Sequence, residues 1–164
     1  MKLAMFLVSL VFFLMVGNSA EGKPKPCKKC YCSVSATDVA FGAYDGLDQV
    51  IVDSTGDIEV SCGTDTIGDV MSYEVELSGA KRGSRPRELS EQGNNALYYN
   101  LYTDPSRTLI WGDGKGSTVM VTDSYTFTVL CCVTRNYTVY GRIDAGQNVE
   151  PGLFSDSITV KVDF

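Results

Sequence analysis

A chain of 164 residues with 44% hydrophobic residues and net charge −6 is long enough for one packed domain and too short for two. Its acidic balance excludes a nucleic-acid binder, which needs clustered cations to neutralise phosphates. It contains no histidine, so no nucleophile can be activated by a Ser-His or Cys-His pair.

Residues 1–20 stand apart from that domain. Met1-Lys2, an apolar run LAMFLVSLVFFLMV of about 14 residues and the small-residue exit GNSA read as a secretory signal peptide cleaved after Ala20. Asn18 is a poor residue at such a site, so Ser19 and Gly22 are alternative ends. An uncleaved anchor is the rival reading, but a membrane span needs roughly 20 apolar residues. Without Lys2 the mature chain has 13 Lys+Arg against 20 Asp+Glu, net −7, the balance of a soluble exported protein without stable membrane insertion. Residues 21–31, EGKPKPCKKCY, form a basic Cys/Pro tail. It reads as a solvated leader, with contact to an anionic surface as the rival.

Six cysteines in an exported chain point to disulfides, because the compartment beyond the membrane is oxidising. Cys27, Cys30 and Cys32 resemble part of a zinc site, but no histidine completes one; a thiolate set with Cys62 is the alternative. The expected bond joins Cys32 to Cys62, each on the inward parity of its own strand. The loop they close adds ~3–4 kcal/mol in the chain-entropy model. Cys131 and Cys132 face opposite sides of one expected strand and so should have different fates, one of them reaching back to Cys27 or Cys30 and pinning the tail.

From residue 32 onward the pattern has a period of two, which is that of half-buried strands. Cys32, Val34 and Ala36 alternate, and then the parity shifts to Val39 and Phe41, as a bulge or a change of sheet would produce. Ile58, Val60 and Cys62 form a second inward set, and Met71, Tyr73, Val75 and Leu77 a third. Residues 78–95 are polar, basic in the centre and without period, a long surface loop. Leu97, Tyr99 and Leu101 follow, ended by a turn at residues 103–106. A short strand at 109–111 stops at the glycine-rich turn 112–116. Residues 125–134 alternate throughout, Arg135-Asn136 turns, and another strand covers 137–143. A glycine-rich loop then leads to the closing strand 157–164, with Ile158, Val160, Val162 and Phe164 on one face. No 3.6-residue period appears after the signal, so the fold class is an all-β sandwich.

Three pieces in order carry a resemblance: LYYNLYTD at 97–104, WGDG at 111–114, and YGRI at 140–143 with AGQN at 145–148. GLFSD at 152–156 and the terminal strand continue it, and CSVSAT at 32–37, VAFG at 39–42 and DSTG at 53–56 agree in the front half. The chain from residue 32 to residue 164 resembles the spore coat protein U domain family, which includes subunits of archaic Csu-type chaperone–usher pili. That resemblance implies an immunoglobulin-like β-sandwich that is incomplete, lacking its last strand. It implies a structural subunit of a surface pilus or spore/cell coat, exported through the periplasm to the cell surface, needing no cofactor and assembled by donor-strand complementation. Its expected partners are a periplasmic chaperone, an outer-membrane usher and neighbouring pilin or coat subunits. The final strand, with Ile158, Val160, Val162 and Phe164, would be the edge where the donor pairs. The sequence departs from the family in Asp144, where proline is usual, and in the tail. A donor needs alternating apolar residues over roughly six to ten positions. Prolines and lysines cannot supply them.

Two other classes compete. An enzyme could use Asp104 and Asp113, near Trp111 and several tyrosines, as paired carboxylates; both also stand where turns use aspartate. A stand-alone secreted binding module, adhesin-like and disulfide-stabilised, could present Tyr98, Tyr102 and Tyr140 from outward parities, although cross-strand packing is the commoner cause. Arg142 is expected to pair with a loop carboxylate. Asn136-Tyr137-Thr138 is a formal glycosylation sequon.

Overall fold

The computed structural model describes residues 25–80, 86–90 and 95–164. The expected signal peptide, the start of the tail and parts of the long loop after Leu77 lie outside the described residues. Among the described residues nine strands make two sheets: β1 (Lys25–Pro26), β2 (Tyr31–Ala36), β3 (Val52–Gly63), β4 (Asp69–Leu77), β5 (Arg87–Ser90), β6 (Ala96–Tyr102), β7 (Val121–Thr126), β8 (Val133–Ile143) and β9 (Val160–Asp163). The second sheet runs β2-β3-β8-β6-β5, all antiparallel. In the first sheet β4 is central, with β7 antiparallel on one side and both β1 and β9 paired to it as well. The architecture is all-β, as the alternation predicts, and immunoglobulin-like, as the resemblance implies.

The core is the meeting of inward rows. Ile58, Val60 and Cys62 of β3 face Met71, Tyr73, Val75 and Leu77 of β4, with Leu97, Tyr99 and Leu101 of β6 closing one side. Such rows are buried on one face because successive side chains leave opposite faces of the pleat. Trp111 is fully buried, and its indole Nε1 donates to Val75 O at 2.9 Å, which satisfies the one polar atom on a large apolar ring.

The parity shift after Ala36 is a departure from the ladder. Thr37 N still donates to Asp57 O (2.9 Å), but Val39 and Phe41 lie over Gly56 and Gly141. A Cβ on Gly141 would stand 2.6 Å from Val39 Cγ1 and 2.7 Å from Phe41 Cζ, and one on Gly56 2.8 Å from Thr37 O. Both glycines leave room for the crossing chain, and the Phe41 ring meets Tyr99 edge-on at 5.7 Å.

Three expectations are corrected. The single strand expected at 125–134 is two elements, because Phe127 pins the chain at the end of β4. Its N–H donates to Asp69 O and its C=O accepts from Gly68 N, both at 2.9 Å. Residues 127–132 then cross between the sheets. Arg135-Asn136 is no turn: both lie inside β8, opposite Val60 and Glu59 of β3, where a ladder of eleven pairs overrides a local preference. The loop expected at 78–95 contains β5, paired to β6 from Arg87↔Tyr99 to Ser90↔Ala96. Arg87 is buried, with Nε donating to Ser78 O (3.1 Å) and Nη2 to Trp111 O (2.6 Å). Desolvation pulls its pKa down.

Candidate functional site

The site is built from the last strand. β9 pairs with β4 from Val160↔Leu77 to Asp163↔Glu74. Residues paired across an antiparallel ladder project to one face, and Leu77 and Val75 are buried, so Val160 and Val162 face the core. Together with Ile158 they pack against it while staying half-buried. Phe164, on the same parity, is 64% exposed; the register stops at Asp163 and nothing opposite holds it. The outer row is solvated: Lys161 contacts Asp163, and lies 3.8 Å from Glu76. The hydrogen bond to Asp163 holds the Lys161 ammonium above its ordinary range.

One edge of β9 is taken and the other is open. Ser78 N donates to Thr159 O (3.0 Å), and Thr159 N to Ser78 Oγ (2.8 Å), so odd-numbered residues turn their backbone groups towards β4. Alternation then sends the N–H and C=O of Val160 and Val162 outward. Among the described residues no strand pairs there.

β2 supplies the other half. Val34 lies opposite Val60 and Ala36 opposite Ile58, so each pair shares a face. Val60 is 0% exposed, yet Val34 is 41% exposed, and Ala36 is exposed as well. The inner face of the second sheet is therefore covered over β3 and bare over β2. β1 lies on the same edge of β4 as β9, and residues 27–30 alone separate it from β2. The open edge of β9 thus belongs to the side of the sandwich where Val34 is uncovered. Sequence reasoning missed Val34 and Ala36 as part of this site: their parity marks them as inward, but parity carries no information about what covers them.

The cysteines cluster at the pole where β3 turns into β4. Cys32 and Cys62 face each other in the β2–β3 register and are bonded. Cys27 is bonded to Cys30 and Cys131 to Cys132, so the expected bridge from the tail to residue 131 or 132 is replaced by two local bonds. The reason is that residues 131 and 132 are not in a strand. Cys131 has φ 60°, a left-handed turn conformation in which opposite-face parity does not apply. The two local bonds are still neighbours: Cys27 Sγ lies 3.7 Å from Thr64 Oγ1, and Cys131 N donates to Thr64 O at 3.3 Å.

Asp104 and Asp113 are separate turn residues. The amides of Thr108 and Leu109 and the Thr108 hydroxyl donate to Asp104 at 2.8–3.1 Å. Desolvation opposes its ionisation, but these bonds outweigh it and hold its carboxyl below the usual range. Asp113 accepts from Lys115 N at 3.1 Å; that bond, first among several, lowers its pKa as well. Arg142 pairs with Asp53 through two bonds of 2.8 and 2.9 Å. Asp53 is its neighbour on β3 and not a loop residue. Arg107 joins the pair at 3.2 Å and stands over the Tyr140 ring at 5.8 Å. Tyr98 is exposed while Tyr102 and Tyr140 are half-buried.

The family model for the Spore Coat Protein U domain matches residues 26–161. The chain belongs to the spore coat protein U domain family. The match begins at residue 26, inside the tail that the sequence sets apart. No curated protein matches the sequence. Among solved structures, this spore coat protein U domain is similar to a chain of the CsuC–CsuE chaperone–tip adhesion subunit pre-assembly complex from archaic chaperone–usher Csu pili of Acinetobacter baumannii. The two share 25% identity with a TM-score of 0.50, over 83% of this chain and 40% of that one. The chain therefore spans less than half the length of that relative.

Proposed function

We propose that this chain is an exported structural subunit of a surface pilus or coat, and that it works by accepting an extended strand from another protein. A periplasmic chaperone supplies that strand first and a neighbouring subunit replaces it, with an outer-membrane usher as the route to the surface. The observation that carries the reading is the bare strip beside β9, where Val34 is 41% exposed next to a fully buried Val60. Membership of the family and the likeness to a chaperone-bound pilus complex support it.

The physics of the edge fits such a partner. A docked strand takes its hydrogen bonds from the outward N–H and C=O groups of Val160 and Val162, and it lays its side chains over Val34 and Ile158. A donor that buries four large apolar side chains gains about 6–12 kcal/mol at ~1.5–3 kcal/mol each. A whole domain's stability is about 5–15 kcal/mol, so the subunit without a donor is marginal, with an edge prone to aggregate. The described side chains contribute binding surface to this function and no catalytic step.

Replacing Val160 with Asp puts a carboxylate in the row facing the core. The expected outcome is loss of export, read as disappearance of the subunit from the cell surface and its degradation in the periplasm. Export at the wild-type level would remove the reading.

A further inference from the structure

The three disulfides share a pole of the sandwich but not an environment. Cys32–Cys62 lies inside the β2–β3 ladder, and Cys62 is 0% exposed. A thiol reaches that bond only when the two strands part, because exchange needs access to sulfur. Cys27–Cys30 is half-buried at both ends. The buried Asp69 carboxylate lies 3.5 Å from Cys27 Sγ, and Lys28 and Lys29 stand exposed in the same loop, so charges of both signs act there. Cys131–Cys132 differs from both. Its two residues are exposed, and the ring they close spans no other residue. So short a restraint removes almost no freedom from the unfolded chain, and the fold does not depend on it.

The surroundings of this bond treat its two sulfurs unequally. The Tyr31 hydroxyl donates to Cys131 Sγ at 3.5 Å. Its ring is seated on Gly63, where a Cβ would stand 2.6 Å from Tyr31 Cζ, and Tyr31 lies opposite that glycine in the β2–β3 register. Cys131 N donates to Thr64 O at 3.3 Å, which keeps Cys131 in place when its sulfur is released. Cys131 also has φ 60°, a left-handed conformation that is costly for a residue with a side chain, so opening the ring lets the turn relax. A hydrogen bond to sulfur favours its thiolate, and the sulfur that is more stable as thiolate leaves faster in exchange. Cys131 is therefore the leaving sulfur and Cys132 the one attacked.

We propose that Cys131–Cys132 is a thiol-exchange site, opened by a dithiol reductant of the Cys-x-x-Cys class while the sandwich stays folded. A thiolate of the reductant attacks Cys132 Sγ and forms a mixed disulfide. The Cys131–Cys132 bond breaks, and Cys131 Sγ departs as a thiolate held by Tyr31 before taking a proton from water. The second thiol of the reductant loses its proton and attacks the reductant's own sulfur in the mixed disulfide. Cys132 Sγ then leaves and is protonated. Two electrons and two protons have passed to the pair, and the reductant ends as a disulfide. Throughout, Cys32–Cys62 keeps β2 on β3. What changes is the turn between the crossing segment and β8, and its contact with Tyr31. The site does not depend on the strand-accepting edge of β9.

The test exposes the purified, oxidised mature protein to limiting dithiothreitol, quenches with iodoacetamide and maps the alkylated cysteines by peptide mass. Cys131 and Cys132 should be alkylated at least about tenfold faster than the remaining cysteines, with the melting temperature unchanged. With reduced glutathione as a monothiol probe, the trapped adduct should sit on Cys132. Tyr31→Phe keeps the ring over Gly63 and removes the donor. It should slow opening about threefold and spread glutathione over both sulfurs, a redistribution that a merely structural loss does not produce. Faster opening of either other disulfide, or unfolding once Cys131–Cys132 is open, would overturn the exchange site. Glutathione on Cys131, or a Tyr31→Phe variant that behaves as the native chain, would overturn the direction of attack.

Discussion

Gly141 is the residue on which the inner face of the second sheet depends most directly. The chain leaving β2 passes over it so closely that a methyl group would sit 2.6 Å from Val39 Cγ1, and Val39 is a stiff β-branched side chain with little room to turn. Gly141→Ala should cost about 1–3 kcal/mol through overpacking, seen as a lower urea midpoint with an unchanged slope. Asp53 makes the corresponding electrostatic prediction. The Arg142 hydrogen bonds, opposed by some desolvation and aided by the charge of Arg107, lower its pKa. A carboxyl lowered in the folded state adds stability that is present above its unfolded value, ~3.9, and is lost as the pH falls through the lower folded value. Below about pH 4 the urea midpoint should therefore drop, and Asp53→Asn should drop less over the same interval. The partners are partly exposed, so the contribution is about 1 kcal/mol or less. At the alkaline end, burial raises the phenol pKa values of Tyr73 and Tyr99, aided by bonds to Tyr137 and Asp156. Their stabilisation is present below about pH 10 and lost above it.

At the level of elements, the three disulfides have the same chemistry and different effects. Cys32–Cys62 ties residues 30 apart, and opening it should cost about 3–4 kcal/mol in the chain-entropy model. Cys131–Cys132 joins adjacent residues and removes almost no freedom from the unfolded chain. Cys131→Ser/Cys132→Ser should thus leave the thermal midpoint nearly unchanged, while Cys32→Ala/Cys62→Ala lowers it; calorimetry of the two pairs decides. The rows of β3, β4 and β6 were readable from alternation because each keeps one face on the core from end to end. The segment 125–134 misled for the converse reason. Its alternation continues through Phe127 to Val133, but the chain changes sheets there, and period-two composition does not record which ladder a residue has joined. β5 escaped notice since its buried anchor is Arg87, a residue whose polarity reads as surface even though two of its nitrogens are satisfied by carbonyls.

For the whole molecule, the decisive feature is a sandwich whose two sheets do not cover each other equally. A strand with apolar alternation fused through a linker after Phe164 should dock along β9, bury Val34 and Ile158, and raise the melting temperature by on the order of 10 °C or more. An unchanged melting temperature, with Val160 and Val162 amides still exchanging rapidly, would mean that the edge does not take a strand.

The order of apolar and polar residues by itself determined the fold class, the inward rows and the strand that ends the chain, because a two-residue period admits one backbone shape. Only the tertiary structure decided that Cys27 bonds to Cys30 and Cys131 to Cys132, that the tail is paired to β4, and that Val34 is bare while Val60 is sealed. Those depend on what lies across the sandwich from a side chain, and residues that are neighbours there are far apart along the chain.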